Sequence, residues 1–398
     1  MQVYVGIIFC GRLTHALINC EDNMKVDTRI FNVIALTASI VVFVYLASVE
    51  DQTTRNLIMK SWEENPFVSR DFSETEMEQP CTPLSNVVFI KTHKTGSTTI
   101  QSILYRYGLS RNLSLVFRRQ NERNGHIPYG HITESSPREL FLPVLGKVDC
   151  SYKGYNISAI HVVHNRPVME TYMNPGSKYI TILRNPASQL MSAFLFFHLD
   201  RKVKGNSSTE VKLINFMDGT TWKKSPYGRN GQSHYLGLDQ SDFDDHFKIN
   251  KMIQTLSKEL DLVLISDYFE ESLVLLKQEL CWSFEDVVFT VQNNRSRPKP
   301  QLSPTLLTKM RSFNNADFLL YEHFNRTLWE RIEKQGPKFW RDLREFKRVQ
   351  NETMHKCFNS STMPPKFNHS GDMNTFCEQY AGSFRLFKHL FNKQRREC

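Results

Sequence analysis

Residues 86–104, NVVFIKTHKTGSTTIQSIL, set an apolar run directly against a loop of lysines, a histidine, a glycine and hydroxyl residues, followed by a helical pattern. Val87 to Ile90 reads as a strand buried on both faces, since such strands are continuous apolar runs rather than alternating ones. A helix follows over about 97–107. Strand, loop and helix start in this order put the free N–H groups and the positive end of a helix at the loop, where phosphate and sulfate groups bind. Lys94, Thr95, Gly96, Ser97, Thr98 and Thr99 add an ammonium, hydroxyl donors and a glycine that admits close backbone approach. Walker A order, G-x-x-x-x-G-K-[ST], is absent because the lysine here precedes the glycine, which argues against an ordinary nucleoside triphosphatase. Lys91 is either a second contact to the anion or the solvated end of the strand.

Beyond this stretch, short apolar runs alternate with helical patterns, the signature of an α/β fold with a central parallel sheet and crossover helices. Residues 179–183, YITIL, read as a second strand, and the helix after it opens with Pro186 in its first turn. Leu262 to Ile265 reads as a third, followed by an amphipathic helix for which Ser266 is the expected N-cap. Arg184 leaves the second strand at the sheet's carboxyl edge, and Ser192 lies two turns into the next helix, on the same face. The C-terminal part reads as helical. The region beyond 359 reads as irregular and tied down by Cys357, Cys377 or Cys398.

The N-terminal region carries a different constraint. Residues 30–49 are a charge-free run of the length that crosses a bilayer, and Lys25 and Arg29 before it against Glu50 and Asp51 after it favour a cytosolic N-terminus. The expected organisation is a cytoplasmic tail at 1–29, a transmembrane signal-anchor at 30–49, a polar stem at 50–84 and a luminal domain at 85–398. Glycosylation sequons at Asn112, Asn156, Asn206, Asn294, Asn325, Asn351, Asn359 and Asn368 all follow the anchor. So do Cys81, Cys150, Cys281, Cys357, Cys377 and Cys398, an even set that permits full pairing in an oxidising compartment. No CxxC pair or other metal constellation stands out. The net charge of +9 and pI near 9.0 suit an anionic partner without choosing between nucleotide, nucleic acid and membrane surface.

The order Lys94, Thr95, Gly96, Ser97 resembles the phosphosulfate-binding loop of sulfotransferases that use 3′-phosphoadenosine-5′-phosphosulfate (PAPS). In those enzymes a strand-end arginine and a serine eight residues later hold the 3′-phosphate, roles the resemblance carries to Arg184 and Ser192. Among them, FIKTHKTGSTTIQSILYRYG and LDLVLISDYFEESLVLLKQELCWSFEDVVF are similar to the galactose-3-O-sulfotransferase family, with FNRTLWERI in agreement. The resemblance spans about 85–345. It implies a P-loop-like sulfotransferase domain in a single-pass type II Golgi membrane protein, with PAPS as co-substrate and no metal. The implied reaction is sulfonate transfer to the 3-hydroxyl of a terminal β-galactose on a glycolipid or glycoprotein glycan, with no nucleic acid involved.

Such a transfer needs a base on the attacking oxygen and stabilisation of the leaving phosphate. His93 is the candidate base, or else only positions substrate, since an unperturbed imidazole accepts protons near neutral pH. Lys94 is the candidate partner of the leaving 5′-phosphate. Arg229 and Asn230 match the family and are expected at the donor. Tyr235 departs from it, standing where relatives tend to carry an acid, and so puts the acceptor contacts of this segment in question. His131, His164 and Arg166 are candidate acceptor residues, the histidines alternatively being ordinary satisfied ones. Competing readings are a glycosaminoglycan O-sulfotransferase, which should show more basic clusters, and an inactive luminal glycan-binding protein. A membrane-bound kinase is disfavoured by the missing Walker A order and acidic magnesium site.

Overall fold

The structure, a computed structural model, describes residues 81–117, 154–203, 207–220, 228–290, 302–358, 377–381 and 387. The tail, the anchor at 30–49, the stem as far as residue 80, His131, Cys150 and Cys398 lie outside the described residues. Among the described residues no helix is long and apolar enough to cross a membrane.

A four-stranded parallel sheet organises the chain, with β1 Val87–Ile90, β2 Ile157–Ser158, β3 Lys178–Leu183 and β4 Leu262–Ile265 in the order β2-β1-β3-β4. β1 and β4 are buried at every position, as expected of strands covered on both faces, and β3 is buried from Tyr179 onward. From β1 the chain moves outward to β2, then returns past β1 to β3 and β4. The sheet therefore reverses direction between β1 and β3. In open α/β sheets the loops leaving the carboxyl ends at such a reversal part from one another and leave a crevice for a ligand. The loop after β1 and Arg184 after β3 flank this one.

Described helices cover the sheet. In chain order they are α1 Ser97–Ser110, α2 Arg166–Glu170, α3 Pro186–Phe196, α4 Thr209–Asp218, α5 Gly231–Tyr235 and α6 His246–Glu259, then α7 Phe269–Leu280, α8 Phe284–Val287, α9 Pro304–Phe313, α10 Asn315–Gln335, α11 Pro337–Phe358 and α12 Glu378–Ala381. Leu190 and Phe194 of α3 pack with Leu213 and Phe216 of α4 and Leu306 and Met310 of α9 in one apolar cluster. α7 and α10 pack on β4. The long C-terminal helical region is interrupted at Asn314 and at Gly336, whose φ of 58° ends α10.

One sequence expectation is corrected, and one sequon is found buried. Ser266 does not cap α7: it opens a 3₁₀ turn, Ser266–Tyr268, and Tyr268 stands at the N-cap with no side-chain capping bond. Asn325 belongs to a sequon but is only 8% exposed, within α10, so the folded domain does not present it for glycosylation. Disulfides join Cys81 to Cys281 and Cys357 to Cys377. The first staples the segment entering β1 to the end of α7, and the second ties Cys377 to the end of α11.

Candidate functional site

The loop after β1 is shaped by its own hydroxyls. Thr92 is fully buried and donates to the Ile182 carbonyl at 2.8 Å, fastening the loop to β3. The Ser97 hydroxyl donates to the Thr92 carbonyl at 2.6 Å, and the Thr95 and Thr92 hydroxyls meet at 2.8 Å. Thr95 and Ser97 thus hold the loop closed. Lys94 and Gly96 both adopt left-handed backbone, φ 62° and 81°, which is easy for glycine and costly for lysine. Gly96 is exposed at the N-cap of α1, and no side chain caps that helix start. The surface presented there consists of the Gly96 backbone, the half-buried Lys94 and the half-buried Thr98, while Thr99 is buried beneath.

Behind the loop lies a cluster of titratable groups. Lys91 is only 6% exposed, which removes the solvated-end alternative. Its ammonium reaches His161 Nε2 at 3.1 Å and the Thr98 hydroxyl at 3.4 Å. His161 Nδ1 lies 2.8 Å from the Lys91 carbonyl, so Nδ1 carries the proton and Nε2 of the neutral ring is left to accept from Lys91. Burial, with the nearby Lys94 charge second, pushes the Lys91 amine down to about 7. His161 stacks face to face on His93 at 3.7 Å. The rings of Tyr235 and Phe197 meet His93 nearly edge-on at 5.1 and 5.5 Å, and Gln189 donates to its carbonyl at 3.0 Å. Nε2 of His93 is out of solvent contact, so a hydroxyl that gives it a proton must be seated inside the cluster.

Arg184 joins this group directly, its guanidinium donating to the Lys94 carbonyl at 3.1 Å. Burial lowers its pKa, opposed by the charge of Asp267. Its main chain is clamped by Gln232, which accepts from the Arg184 N–H at 2.8 Å and donates to its carbonyl at 3.0 Å. Asn185 caps α3 with its own side chain, accepting from the Ala187 and Ser188 N–H groups. That helix start is therefore satisfied by protein, whereas the start of α1 is open to a ligand. Ser192 is half-buried farther along α3.

Other expected residues do not join. Arg229 forms a forked ion pair with Asp244 and donates to the Phe313 carbonyl at 2.8 Å. Asn230, fully buried, binds the main chain of α10 through Asp317. His164 pairs with Glu259 at 2.7 Å, and Arg166 lies over the Tyr179 ring at 4.4 Å while donating to the Glu259 carbonyl. Tyr179 is the second residue of β3 and Glu259 precedes β4, so this pair sits by the amino ends of the strands, whereas Lys94 and Arg184 follow the carboxyl ends. Burial lowers the His164 pKa, with Glu259 opposing. Among the described residues no three His, Cys, Asp or Glu side chains gather as a metal site.

Sequence reasoning passed over His161, Gln189 and Gln232. For His161 a signal existed: it ends the apolar run ISAI, just as Arg184 ends YITIL, and strand ends at the carboxyl edge are where site residues stand.

Relatives place this geometry in a known group. The chain is 32% identical to galactose-3-O-sulfotransferase 2 of Homo sapiens over 262 residues, covering 64% of this chain and 63% of that protein. It is 29% identical to galactose-3-O-sulfotransferase 2 of Mus musculus over 303 residues, 73% and 74% of the two chains. It is 30% identical to the galactosylceramide sulfotransferase of Mus musculus over 288 residues, 70% and 65%. The matched part thus spans roughly two-thirds of the length of these relatives. The sequence profile of galactose-3-O-sulfotransferase matches residues 23–368. With most of its length matched, including the loop after β1 and Arg184, the chain belongs to the galactose-3-O-sulfotransferase family.

Proposed function

We propose that the chain transfers the sulfonate of PAPS to the 3-hydroxyl of a terminal β-galactose on a glycolipid or glycan, within a P-loop-like domain. The observation that carries this reading, beside family membership, is the bond from Arg184 to the Lys94 carbonyl, which unites two cationic strand ends in one site. A donor with phosphates at both ends suits that arrangement: an open helix start, Lys94 and the buried Lys91 on one side, Arg184 with Ser192 on the other.

In the proposed reaction the acceptor hydroxyl gives its proton to His93 as its oxygen attacks sulfur. The bond from sulfur to the 5′-phosphate oxygen breaks, and the electron pair departs on that phosphate beside Lys94. His161 supports the base by stacking, and its tautomer is fixed by Lys91. The enclosure of His93 by His161, Tyr235 and Phe197 keeps water from competing with the sugar hydroxyl.

We also infer a type II Golgi protein anchored at 30–49. The two disulfides support this reading, because such bonds persist in oxidising compartments. The test is incubation of the full chain, in detergent, with sulfate-labelled PAPS and a panel of β-galactosides. Label should appear on O3 of terminal galactose; no transfer to any galactoside would reject the proposal.

A further inference from the structure

Phe196 ends α3 with 41% of its surface exposed, although its neighbours Leu190 and Phe194 fill the core. Scattered exposed apolar residues are ordinary, and Val211, Phe247 and Leu307 are others of that kind here. Phe196 differs in its surroundings. The Lys94 ammonium lies 3.5 Å over its ring. Phe197 stands perpendicular to it at 5.1 Å and turns its own ring toward His93 at 5.5 Å. The segment is held in place: His198 takes φ 53° to end the helix, and buried Leu199 anchors the 3₁₀ turn Leu199–Lys202. A fixed, exposed aromatic face therefore adjoins Lys94 directly and reaches His93 by way of Phe197.

A β-galactopyranose has hydroxyls around its rim and one face made of the C3, C4 and C5 hydrogens, left clear because the 4-hydroxyl is axial on the other side. That face lies flat on an aromatic ring, with O3 projecting at the ring's margin. We propose that Phe196 is the platform on which the acceptor galactose stacks, and that Lys94 covers it until the donor draws the ammonium away. This rests on the function proposed above. A hydrogen-bonded ion pair with phosphate outweighs a cation–π contact at an exposed site, so donor binding relocates Lys94 and bares the ring. Donor before acceptor is the resulting order of binding. A ring placed this way prefers galactose to its 4-epimer, whose equatorial 4-hydroxyl leaves an axial hydrogen on the opposite face.

The test uses the full chain in detergent, with the chosen β-galactoside, PAPS and adenosine 3′,5′-bisphosphate as probes. Phe196→Ala should raise KM for the galactoside roughly tenfold or more and leave KM for PAPS within about twofold. Phe196→Trp should restore it, whereas Phe196→Leu, apolar but without a ring, should not. Adenosine 3′,5′-bisphosphate should tighten galactoside binding to the unmodified chain by at least roughly fivefold and lose that effect in Phe196→Ala. Unchanged galactoside KM in Phe196→Ala, an equal rise in KM for PAPS, or galactoside affinity indifferent to the bisphosphate would each overturn the platform while the unmodified chain stays active. No transfer by the unmodified chain would instead overturn the function itself, and the platform with it.

Discussion

Asp317, fully buried on α10, accepts from both the N–H and the hydroxyl of Ser233 on α5 at 2.7 Å, across a sequence separation of 84. Its other oxygen accepts from the Gln232 N–H at 3.2 Å. The carboxylate therefore holds the start of α5, and Gln232 on that helix clamps both main-chain groups of Arg184. A residue remote from the anion loop thereby fixes the aim of Arg184. Burial pushes the Asp317 carboxyl up, and the bonds from Ser233 and Gln232 pull it back down.

Asp317→Asn replaces one acceptor oxygen with an NH₂ that faces another donor. The expected loss is about 1–3 kcal/mol of stability, read by denaturant unfolding. If Asp317 acts only on stability, affinity for adenosine 3′,5′-bisphosphate stays unchanged under folded conditions. A weakening of roughly fivefold or more is expected instead, since Arg184 loses its clamp.

The strands were legible because burial on both faces writes itself as uninterrupted apolar sequence: β1 and β4 occupy the residues expected of them, and β3 begins one residue earlier. β2 escaped notice because Ile157–Ser158 is too short for any period to show. Loop chemistry was legible in kind but not in detail, since the hydroxyls of Thr95 and Ser97 turn inward to Thr92. What the sequence hid is side-chain pairing over long separations. Lys91 and His161 stand 70 residues apart, and Arg229, expected at the donor, is taken by Asp244. Nothing local to either partner announces such pairs.

Lys91 makes donor binding depend on pH. Its amine, pushed down to about 7 by burial and by Lys94, is charged below that pH and neutral above it. A bound phosphate favours the charged form, so the complex takes up a proton when formed above pH 7. Affinity for adenosine 3′,5′-bisphosphate should therefore fall as pH rises through 7, approaching about one decade per pH unit. Calorimetry in buffers of different ionisation enthalpy measures the uptake. His161 lies against this amine and His93 stacks on His161, so Lys91→Met is the needed comparison: it should bind more weakly at pH 6 and show a flattened slope. An undiminished slope in Lys91→Met would assign the proton to a histidine.

His93 and Arg184 should separate in their effects. His93→Ala removes the proton acceptor but none of the cationic groups, so turnover should fall by roughly 10²–10⁴ while bisphosphate affinity holds. Arg184→Ala should weaken that affinity by roughly 10–100-fold, the scale of a charge-assisted contact. Near-normal turnover in His93→Ala would show that the imidazole only positions substrate. Single-turnover rates with labelled PAPS, beside equilibrium binding of the bisphosphate, distinguish the two.

The Cys81–Cys281 disulfide bridges a sequence separation of 200, joining the entry of β1 to the residue that ends α7. Cys281 itself adopts left-handed backbone, φ 55°, as the C-cap of that helix. The Leu84 N–H donates to the Leu280 carbonyl and the Trp282 indole donates to the Leu84 carbonyl, both at 2.9 Å, so hydrogen bonds reinforce the same junction. Closing so long a loop removes much of the freedom of the unfolded chain, and losing a native bridge costs about 2–5 kcal/mol. Cys281→Ser paired with Cys81→Ser, which leaves no odd thiol, should lower the denaturant midpoint accordingly. Because the hydrogen bonds at Leu84 remain to seat β1, bisphosphate affinity in the folded double variant should change by less than about twofold. A large loss of affinity at full folding would mean that the bridge, rather than those bonds, sets the position of β1 and the loop it carries.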